Sequence, residues 1–316
     1  MTLGAALRQP LTLADAHAAT LTWQVPLAIP EVEPQEETRA PALPRLRLPA
    51  LRPELVLAGA VLVLLAVAAL VPHWLTSADP LAADARQAFL PPGADHWLGT
   101  DENGRDVLAR IIYGVRPSLV MGLSATALAV VAGTLFGLGA GLGNRVADAV
   151  IARFLDTLMA FPEALFALVV ITFWGQGTIN AIAAVGIVSI PRNARLVRAQ
   201  TQLVRRSGYV EAARSLGQHP VLLVLRHVVP NAVKPVLVLA TISVGTSIGM
   251  GAMLSFLGFG APPPAPEWGA MAAIGRNFLA TAWWLVAAPA AAITITVLAI
   301  TSIGRAVLRY SEGKVL

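Results

Sequence analysis

The chain has 316 residues, of which 56% are hydrophobic and only 13% are charged, against about 25% charged in an ordinary soluble domain. It has no cysteine, which excludes disulfides, zinc–thiolate sites and thiol nucleophiles. The formal net charge of +5 comes almost entirely from arginine, since Lys234 and Lys314 are the only lysines. Neither lysine stands in a phosphate-binding loop, so any ATP that drives this protein must be held by another polypeptide. The composition indicates an integral membrane protein.

Residues 1–53 form a segment of their own. Prolines recur along it, and an acidic stretch at 31–37 precedes three arginines at 39–47. Such spacing does not sustain a long helix, and no apolar core follows a basic start, so the segment is not a secretory signal. We expect a proline-rich, flexible cytoplasmic tail, with docking onto a partner subunit as the alternative.

Six apolar segments follow, at 55–71, 118–142, 149–173, 179–190, 233–257 and 283–303. Their length and polarity predict an all-α integral membrane protein with six transmembrane helices over residues 54–310. The fourth helix is expected to continue past Pro191 into water. Residues 311–316 then form a short C-terminal tail.

Basic residues alternate between the loops of the six segments. The richer side contains Arg39, Arg45, Arg47, Arg52, Arg145, Arg153, Arg192, Arg195, Arg198, Arg205, Arg206, Arg214, Arg226, Arg305, Arg309 and Lys314. The poorer side contains Arg86, Arg105, Arg110, Arg116 and Arg276. The positive-inside bias therefore predicts that both termini and the loop between the fourth and fifth segments are cytoplasmic. Because the arginines flank apolar runs, they indicate topology control and not a nucleic-acid partner.

The second segment is rich in glycine. Gly133, Gly137 and Gly141 are spaced by four residues, as are Gly139 and Gly143. This small-xxx-small spacing lets helix backbones approach closely, so we expect packing within the bundle. Lining a transport path is the alternative.

The stretch before that segment contains Asp101, Asn103 and Gly104, which resemble part of a calcium loop without its spacing. A helix on the outer membrane surface is favoured instead, with Thr100 as N-cap and Asp106–Arg110 as an i,i+4 pair. The functional role that we consider for this loop is a contact with a substrate-delivery protein.

A charged stretch at 207–217 interrupts the apolar sequence. Ser207 can cap a short helix over 208–216, Glu211 suits its first turn, and Gly217 suits a left-handed end. Tyr209, Ala213 and Leu216 share one face of that helix. Its small side chains fit a groove on a partner protein.

Glu211-Ala212-Ala213, three residues, Gly217, nine residues and His227-Val228-Val229-Pro230 resemble the EAA loop of ABC-importer permeases. His227 and Val229 depart from the family's usual I-x-LP ending. The ending H-x-x-P-N, together with 96–119 and 254–271, is similar to the branch that imports dipeptides, oligopeptides and nickel.

The resemblance implies a type I ABC-importer permease fold in a bacterial inner membrane, with a coupling helix that docks on an ATPase. The coupling residues it implies are Tyr209, Glu211, Ala212, Ala213, Arg214, Leu216 and Gly217. It also implies a second permease in a heterodimer, one or two ABC ATPase subunits that hold ATP and Mg, and an extracytoplasmic substrate-binding protein. The chain itself is expected to bind no cofactor or metal and to catalyse no reaction.

Three polar residues inside the apolar segments bear on function. Glu163 follows Pro162 in the third, where a carboxylate usually faces protein or water; we expect it in the translocation path or an interhelical contact. Asp156 is expected to pair with Arg153. Ser247 lies in Gly245-Thr246-Ser247-Ile248-Gly249, a G-x-S-x-G pattern. Helix packing explains that pattern better than a serine hydrolase, which needs a strand-turn-helix setting, and Ser247 is a second candidate for the path.

The favoured function is the permease subunit of an ATP-driven importer for peptides. The alternatives are the same machinery importing nickel or another small chelate, and, in another class, a secondary transporter. A secondary transporter needs intramembrane charge relays, for which the sequence offers few residues beyond Glu163.

Overall fold

The computed structural model describes residues 53–311. The predicted tail over 1–53 and the end of the chain after residue 311 therefore lie outside the described residues, apart from Pro53. The described part consists of helices and their connections, with one isolated β-bridge between Thr100 and Asp106.

Ten α-helical segments follow one another along residues 53–311. They are α1 Pro53–Leu70, α2 Val107–Leu142, α3 Arg145–Met159, α4 Glu163–Trp174, α5 Thr178–Arg205, α6 Gly208–Ser215, α7 Pro220–Leu223, α8 Val229–Phe256, α9 Trp268–Gly275 and α10 Trp284–Ser311. A π-helical turn over Val224–Val228 joins α7 to α8, so that Pro220–Phe256 form one helix of 37 residues. The all-α prediction is confirmed for the described part.

Four helices within residues 53–311 are long and apolar enough to cross a membrane. They are Pro53–Leu70, Val107–Leu142, Pro220–Phe256 and Trp284–Ser311. These helices match the first, second, fifth and sixth predicted spans.

The third predicted span is not one straight helix. It consists of α3 and α4, bent by 92° at residues 160–162, and the two pass the test for a span only as a pair. Pro162 adopts an extended ψ of 129° and lacks an N–H to continue the helix, which explains the break. Glu163 is consequently the first residue of α4.

The fourth predicted span lies in α5, which continues through Pro191 to Arg205 as expected. Its second half carries Arg192, Arg195 and Arg198, and α5 is not among the helices that qualify as spans by length and composition. The structure therefore supports four spans, or five with the bent pair, and a sixth remains a prediction.

The prediction of a separate helix before the second span is wrong, both in its N-cap residue and in its ion pair. Asp106, not Thr100, is the N-cap of α2, and its side chain accepts a hydrogen bond from the N–H of Ala109 at 2.7 Å. From there α2 continues through Pro117 for 36 residues as a single helix. Arg110 pairs with Asp101 at 3.5 Å and not with Asp106.

The reason lies in the turn that precedes α2. The N–H groups of Asn103 and Arg105 both donate to the Asp101 side chain at 2.9 Å, which closes a turn instead of a helix. Gly104 has a φ of +73°, in the left-handed region, and a Cβ there would overlap the Asp84 carbonyl. Local side-chain hydrogen bonds thus outweigh the helical pattern.

Glycines along one face of α2 bring α5 into close contact. A Cβ built on Gly133, Gly137 or Gly141 would lie 2.5 to 2.6 Å from a side chain of α5. The opposing residues are Asn193, Val197 and Thr201, which also recur every four residues. The predicted packing role of this spacing is confirmed for these three glycines. The Gly139–Gly143 pair does not share it, since a Cβ on Gly139 meets only Ile151 at 3.6 Å.

The loop between α8 and α10 folds onto the first turns of α2. Glu267 is buried and caps α9, accepting hydrogen bonds from the N–H groups of Gly269 at 2.9 Å and Ala270 at 3.0 Å. Burial raises the pKa of the Glu267 carboxyl above its ordinary value. The indole N–H of Trp268 donates to the Ile111 carbonyl at 2.9 Å, and that of Trp284 donates to the Thr100 carbonyl at 3.1 Å. This end of the bundle is therefore held by long-range hydrogen bonds.

Candidate functional site

The short helix predicted at 208–216 is present as α6, Gly208–Ser215. Ser207 is at the N-cap position as expected, but its hydroxyl donates to the Val204 carbonyl at 2.6 Å and does not cap the helix. Gly217 has a φ of +78°, which confirms the predicted left-handed end. The N–H of Gly217 donates to the Arg214 carbonyl at 3.0 Å, and that of Gln218 to the Ala213 carbonyl at 3.2 Å. The helix is thus closed at its C-terminus by backbone alone.

A small apolar cluster fixes α6 to the helices on either side. Val210 is fully buried and packs with Val204 at the end of α5 and with Leu223 and Val228 on the helix that follows. Ala213 packs against the same cluster. Val204, Val210 and Val228 thus join α6 to the end of α5 and to the helix that continues into α8 by close-packed side chains.

Outside this cluster most side chains of α6 are exposed, and the Tyr209 ring lies against the His227 ring at a centroid distance of 6.4 Å. Tyr209 is 46% exposed and Leu216 is 88% exposed, while Glu211, Ala212 and Arg214 are also exposed. Tyr209 and Leu216 therefore lie at the accessible ends of the face that they share with the partly buried Ala213. Leu216 and Tyr209 thus leave apolar side-chain surface of α6 accessible.

A basic cavity of about 420 Å³ separates α6 from the turn between α2 and α3. Arg145, Arg205, Arg206 and Arg214 line it, and Glu211 contributes from α6. Arg205 also donates to the Gly141 carbonyl at 2.6 Å, which links the end of α5 to the end of α2. Guanidinium groups in such an arrangement can bind carboxylates or phosphates of a partner.

Glu163 lies at the break between α3 and α4, with its side chain exposed. The Ser189 hydroxyl on α5 donates to it at 3.3 Å. Glu163 therefore makes an interhelical contact, through Ser189, and also lines a cavity of about 200 Å³. Arg192 lines the same cavity, whose walls are otherwise apolar.

Two further acids of α3 pair with arginines of α5. Asp156 accepts from Arg195 at 2.6 Å, so the expected pairing with Arg153 is wrong. Asp148 accepts from the Arg198 guanidinium at 2.7 Å. These contacts join residues 39 and 50 positions apart. The sequence signal was the three-residue spacing of Arg192, Arg195 and Arg198, which places them near one another along α5.

Ser247 is buried in the interior of α8, where its oxygen accepts a hydrogen bond from the Thr126 hydroxyl of α2 at 3.0 Å. A Cβ on Gly245 would lie 2.8 Å from Thr301 of α10, and one on Gly251 would overlap Met121 of α2. The G-x-S-x-G pattern thus lies inside a continuous helix and serves helix packing, as predicted, and lacks the strand-turn-helix setting of a hydrolase. No cluster of three or more potential metal ligands occurs within residues 53–311.

Comparison with known proteins agrees with this architecture. Residues 133–316 match the family described as binding-protein-dependent transport system inner membrane component. The chain is 39% identical to a di/tripeptide transport system permease protein of Pseudomonas aeruginosa, over 77% of this chain and 82% of that protein. It is 38% identical to a dipeptide transport system permease protein of Alkalihalophilus pseudofirmus, over 73% and 76%. It is 42% identical to a glutathione transport system permease protein of Pectobacterium atrosepticum, over 67% and 71%.

Solved structures show a similar fold. An inward-facing form of the MetNI methionine ABC transporter superposes with a TM-score of 0.53 at 21% identity, covering 64% of this chain and 95% of that one. An amino acid ABC transporter gives a TM-score of 0.52 at 20% identity, covering 64% and 94%. With its helical bundle, its exposed loop helix and these relatives, the chain belongs to the family of binding-protein-dependent transport system inner membrane components.

Proposed function

We propose that this permease subunit forms half of the translocation path of an ATP-driven importer for peptides of dipeptide or oligopeptide size. The observation that carries the proposal is α6, an exposed helix anchored by Val210 to the ends of both flanking helices. The relatives at 38 to 39% identity are named as dipeptide and di/tripeptide transport permeases, which supports peptides as the cargo. A protein of this family is a membrane component and not itself an enzyme.

In this proposal α6 is the coupling helix that docks into a groove of a separate ATPase subunit, and ATP and Mg are bound there. The docking surface comprises Tyr209, Glu211, Ala212, Ala213, Arg214, Leu216 and Gly217. The exposed Leu216 supplies apolar area, while Glu211 and Arg214 supply charges next to the basic cavity. Small side chains at 212 and 213 let the partner approach the helix backbone.

Closure of the ATPases would then displace α6, and the cluster around Val210 would carry that displacement to α5 and α8. Such movement is rigid-body gating between two states, biased by ATP. Glu163 lines the path at the break between α3 and α4. Ser247, buried at the contact between α2 and α8, would face the path only after those helices separate.

The complete assembly would contain a second permease, one or two ATPases and an extracytoplasmic substrate-binding protein. The arginine distribution supports cytoplasmic positions for both termini and for α6. The permease domain would span residues 54–310, with residues 1–53 as an N-terminal tail and 311–316 as a C-terminal one.

Two substitutions test the coupling role of α6. Glu211→Lys reverses the charge beside the basic cavity, and Gly217→Val forces a β-branched residue into a left-handed conformation at a cost of about 1–2 kcal/mol. We expect both variants to remain in the membrane, to lose uptake of a labelled dipeptide by roughly tenfold or more, and to leave basal ATP hydrolysis by the assembly in place.

Gly208→Ala is the matched control. Gly208 lies in the same helix, has open space around it and does not have a positive φ, so its replacement leaves the docking surface intact. Normal dipeptide uptake by both the Glu211→Lys and Gly217→Val variants would refute the role of α6 in coupling.

A further inference from the structure

Three acids on α3 and α4 face three arginines on α5, in an arrangement we term the acid–arginine ladder. Its rungs are Asp148 with Arg198, Asp156 with Arg195, and Glu163 with Arg192. The first two are closed ion pairs, with distances of 2.7 and 2.6 Å. Among the ion pairs of residues 53–311, none within 4.0 Å joins Glu163 to Arg192.

The reach of the side chains does not explain the open rung. Glutamate is one methylene longer than the aspartates that close the other two rungs. The third rung instead lies where α3 ends and α4 turns away by 92°, and a cavity of about 200 Å³ occupies this bend. Glu163 and Arg192 thus line one accessible cavity without forming an ion pair.

The walls of this cavity are apolar between the two charges. Phe161 and Phe166 stack with ring centroids 6.2 Å apart, and Val188 adds an aliphatic surface from α5. Glu163 is oriented by the Ser189 hydroxyl, while Arg192 stays exposed. The cavity therefore offers an acceptor for a cation, a guanidinium for a carboxylate, and apolar surface between them.

We propose that the open rung is a subsite for a peptide with free ends, in which Glu163 binds the α-ammonium group and Arg192 binds the α-carboxylate. This inference rests on the proposed import of peptides and adds to it a chemical reason for selection inside the membrane subunit. In this proposal a dipeptide, whose two extended residues span at most about 7 Å, engages both charges at once.

Weak binding is consistent with the size of the cavity. It is smaller than the roughly 300–1,000 Å³ of an ordinary ligand pocket, and a translocation site must release its cargo. The side chains of Glu163 and Arg192 are both exposed, so cargo can reach them and leave again.

The absence of cysteine from the chain allows a direct test. In the assembled importer, Phe161→Cys places one thiol of this subunit on the cavity wall, and the labelling rate of that subunit by a methanethiosulfonate reagent reports occupancy. We expect alanyl-alanine at millimolar concentration to slow labelling about fivefold, as mass action requires when the peptide is at about four times its dissociation constant. N-acetyl-alanyl-alanine amide, which lacks both charges, should leave the rate unchanged.

A second substitution in the Phe161→Cys variant then identifies the side chains that bind the peptide. Adding Glu163→Gln or Arg192→Gln should abolish protection by alanyl-alanine. Asp156→Asn and Arg195→Gln, which alter the neighbouring closed rung on the same helices, should preserve it. Met159→Cys, at a side chain that lines the same cavity and is 43% exposed, provides a second labelling position for use if the Phe161→Cys variant does not assemble.

Three results would overturn the subsite. They are equal protection by the free and blocked peptides, protection that survives both Glu163→Gln and Arg192→Gln, and no protection at either labelling position. Failure of the proposed function is distinguishable, because it is measured on the unmodified chain. If cells with the complete importer do not take up peptides at all, the cargo assignment is wrong whatever the labelling shows.

Discussion

The glycine face of α2 makes a stringent prediction about packing. Gly137 and Gly139 are two residues apart in the same helix, but only Gly137 faces α5. A Cβ on Gly137 would lie 2.5 Å from the Val197 Cβ and 2.6 Å from the Ala194 carbonyl oxygen. A Cβ on Gly139 would make an ordinary contact of 3.6 Å with the end of Ile151.

The two alanine variants should therefore differ in stability. Each gains up to about 1 kcal/mol in helix propensity. Gly137→Ala must in addition separate two helix backbones, and overpacking of this kind costs about 1–3 kcal/mol. We expect Gly139→Ala to be neutral or stabilising and Gly137→Ala to be less stable than it by about 1–3 kcal/mol.

Thermal unfolding of the purified importer complex in detergent measures this difference. At about 2–4 °C per kcal/mol, the midpoints of the two variants should differ by several degrees. Equal midpoints, or a lower midpoint for Gly139→Ala, would show that the close approach of α2 and α5 does not hold the bundle together as described.

Two further predictions concern the polar end of the bundle. Asp101→Ala leaves Arg110, which is only 3% exposed, without its carboxylate partner and should destabilise the protein by about 3–5 kcal/mol. Asp156→Ala breaks an exposed ion pair and should cost only about 0–1 kcal/mol. Similar unfolding midpoints for the two variants would contradict this expectation. The raised pKa of Glu267 means that its contribution to stability is full below the unfolded pKa of about 4.3 and is lost as pH rises through the folded pKa. Glu267→Gln should flatten the dependence of the unfolding midpoint on pH above about 4.3, and parallel curves for wild type and variant would exclude this cause.

The candidate site at α6 could be predicted almost completely from local sequence. Its helix, its left-handed glycine and its exposed side chains depend on residues within ten positions of one another. The burial of Val210 was not predicted, because it depends on Leu223 and Val228 folding back from the next helix.

The prediction at Thr100–Arg110 failed for a related reason. The pattern of caps and i,i+4 charges favoured a separate helix, but Asp101 bonds to the backbone of its own turn, and Arg110 reaches back to it. The buried Arg110 guanidinium also donates to the Pro80 carbonyl at 3.1 Å, a partner 30 residues away that no local pattern reveals.

The sequence by itself determined that this protein is a helical membrane component with a charged loop helix, because apolar length, arginine distribution and the φ preference of glycine act locally. Only the tertiary structure decided which charges meet. Asp148 and Asp156 find their arginines across 50 and 39 residues, while Glu163 and Arg192 line one cavity beside the bend at 160–162 without pairing. Ion pairing falls off within a few ångströms, so it depends on how helices pack and not on the order of residues along the chain.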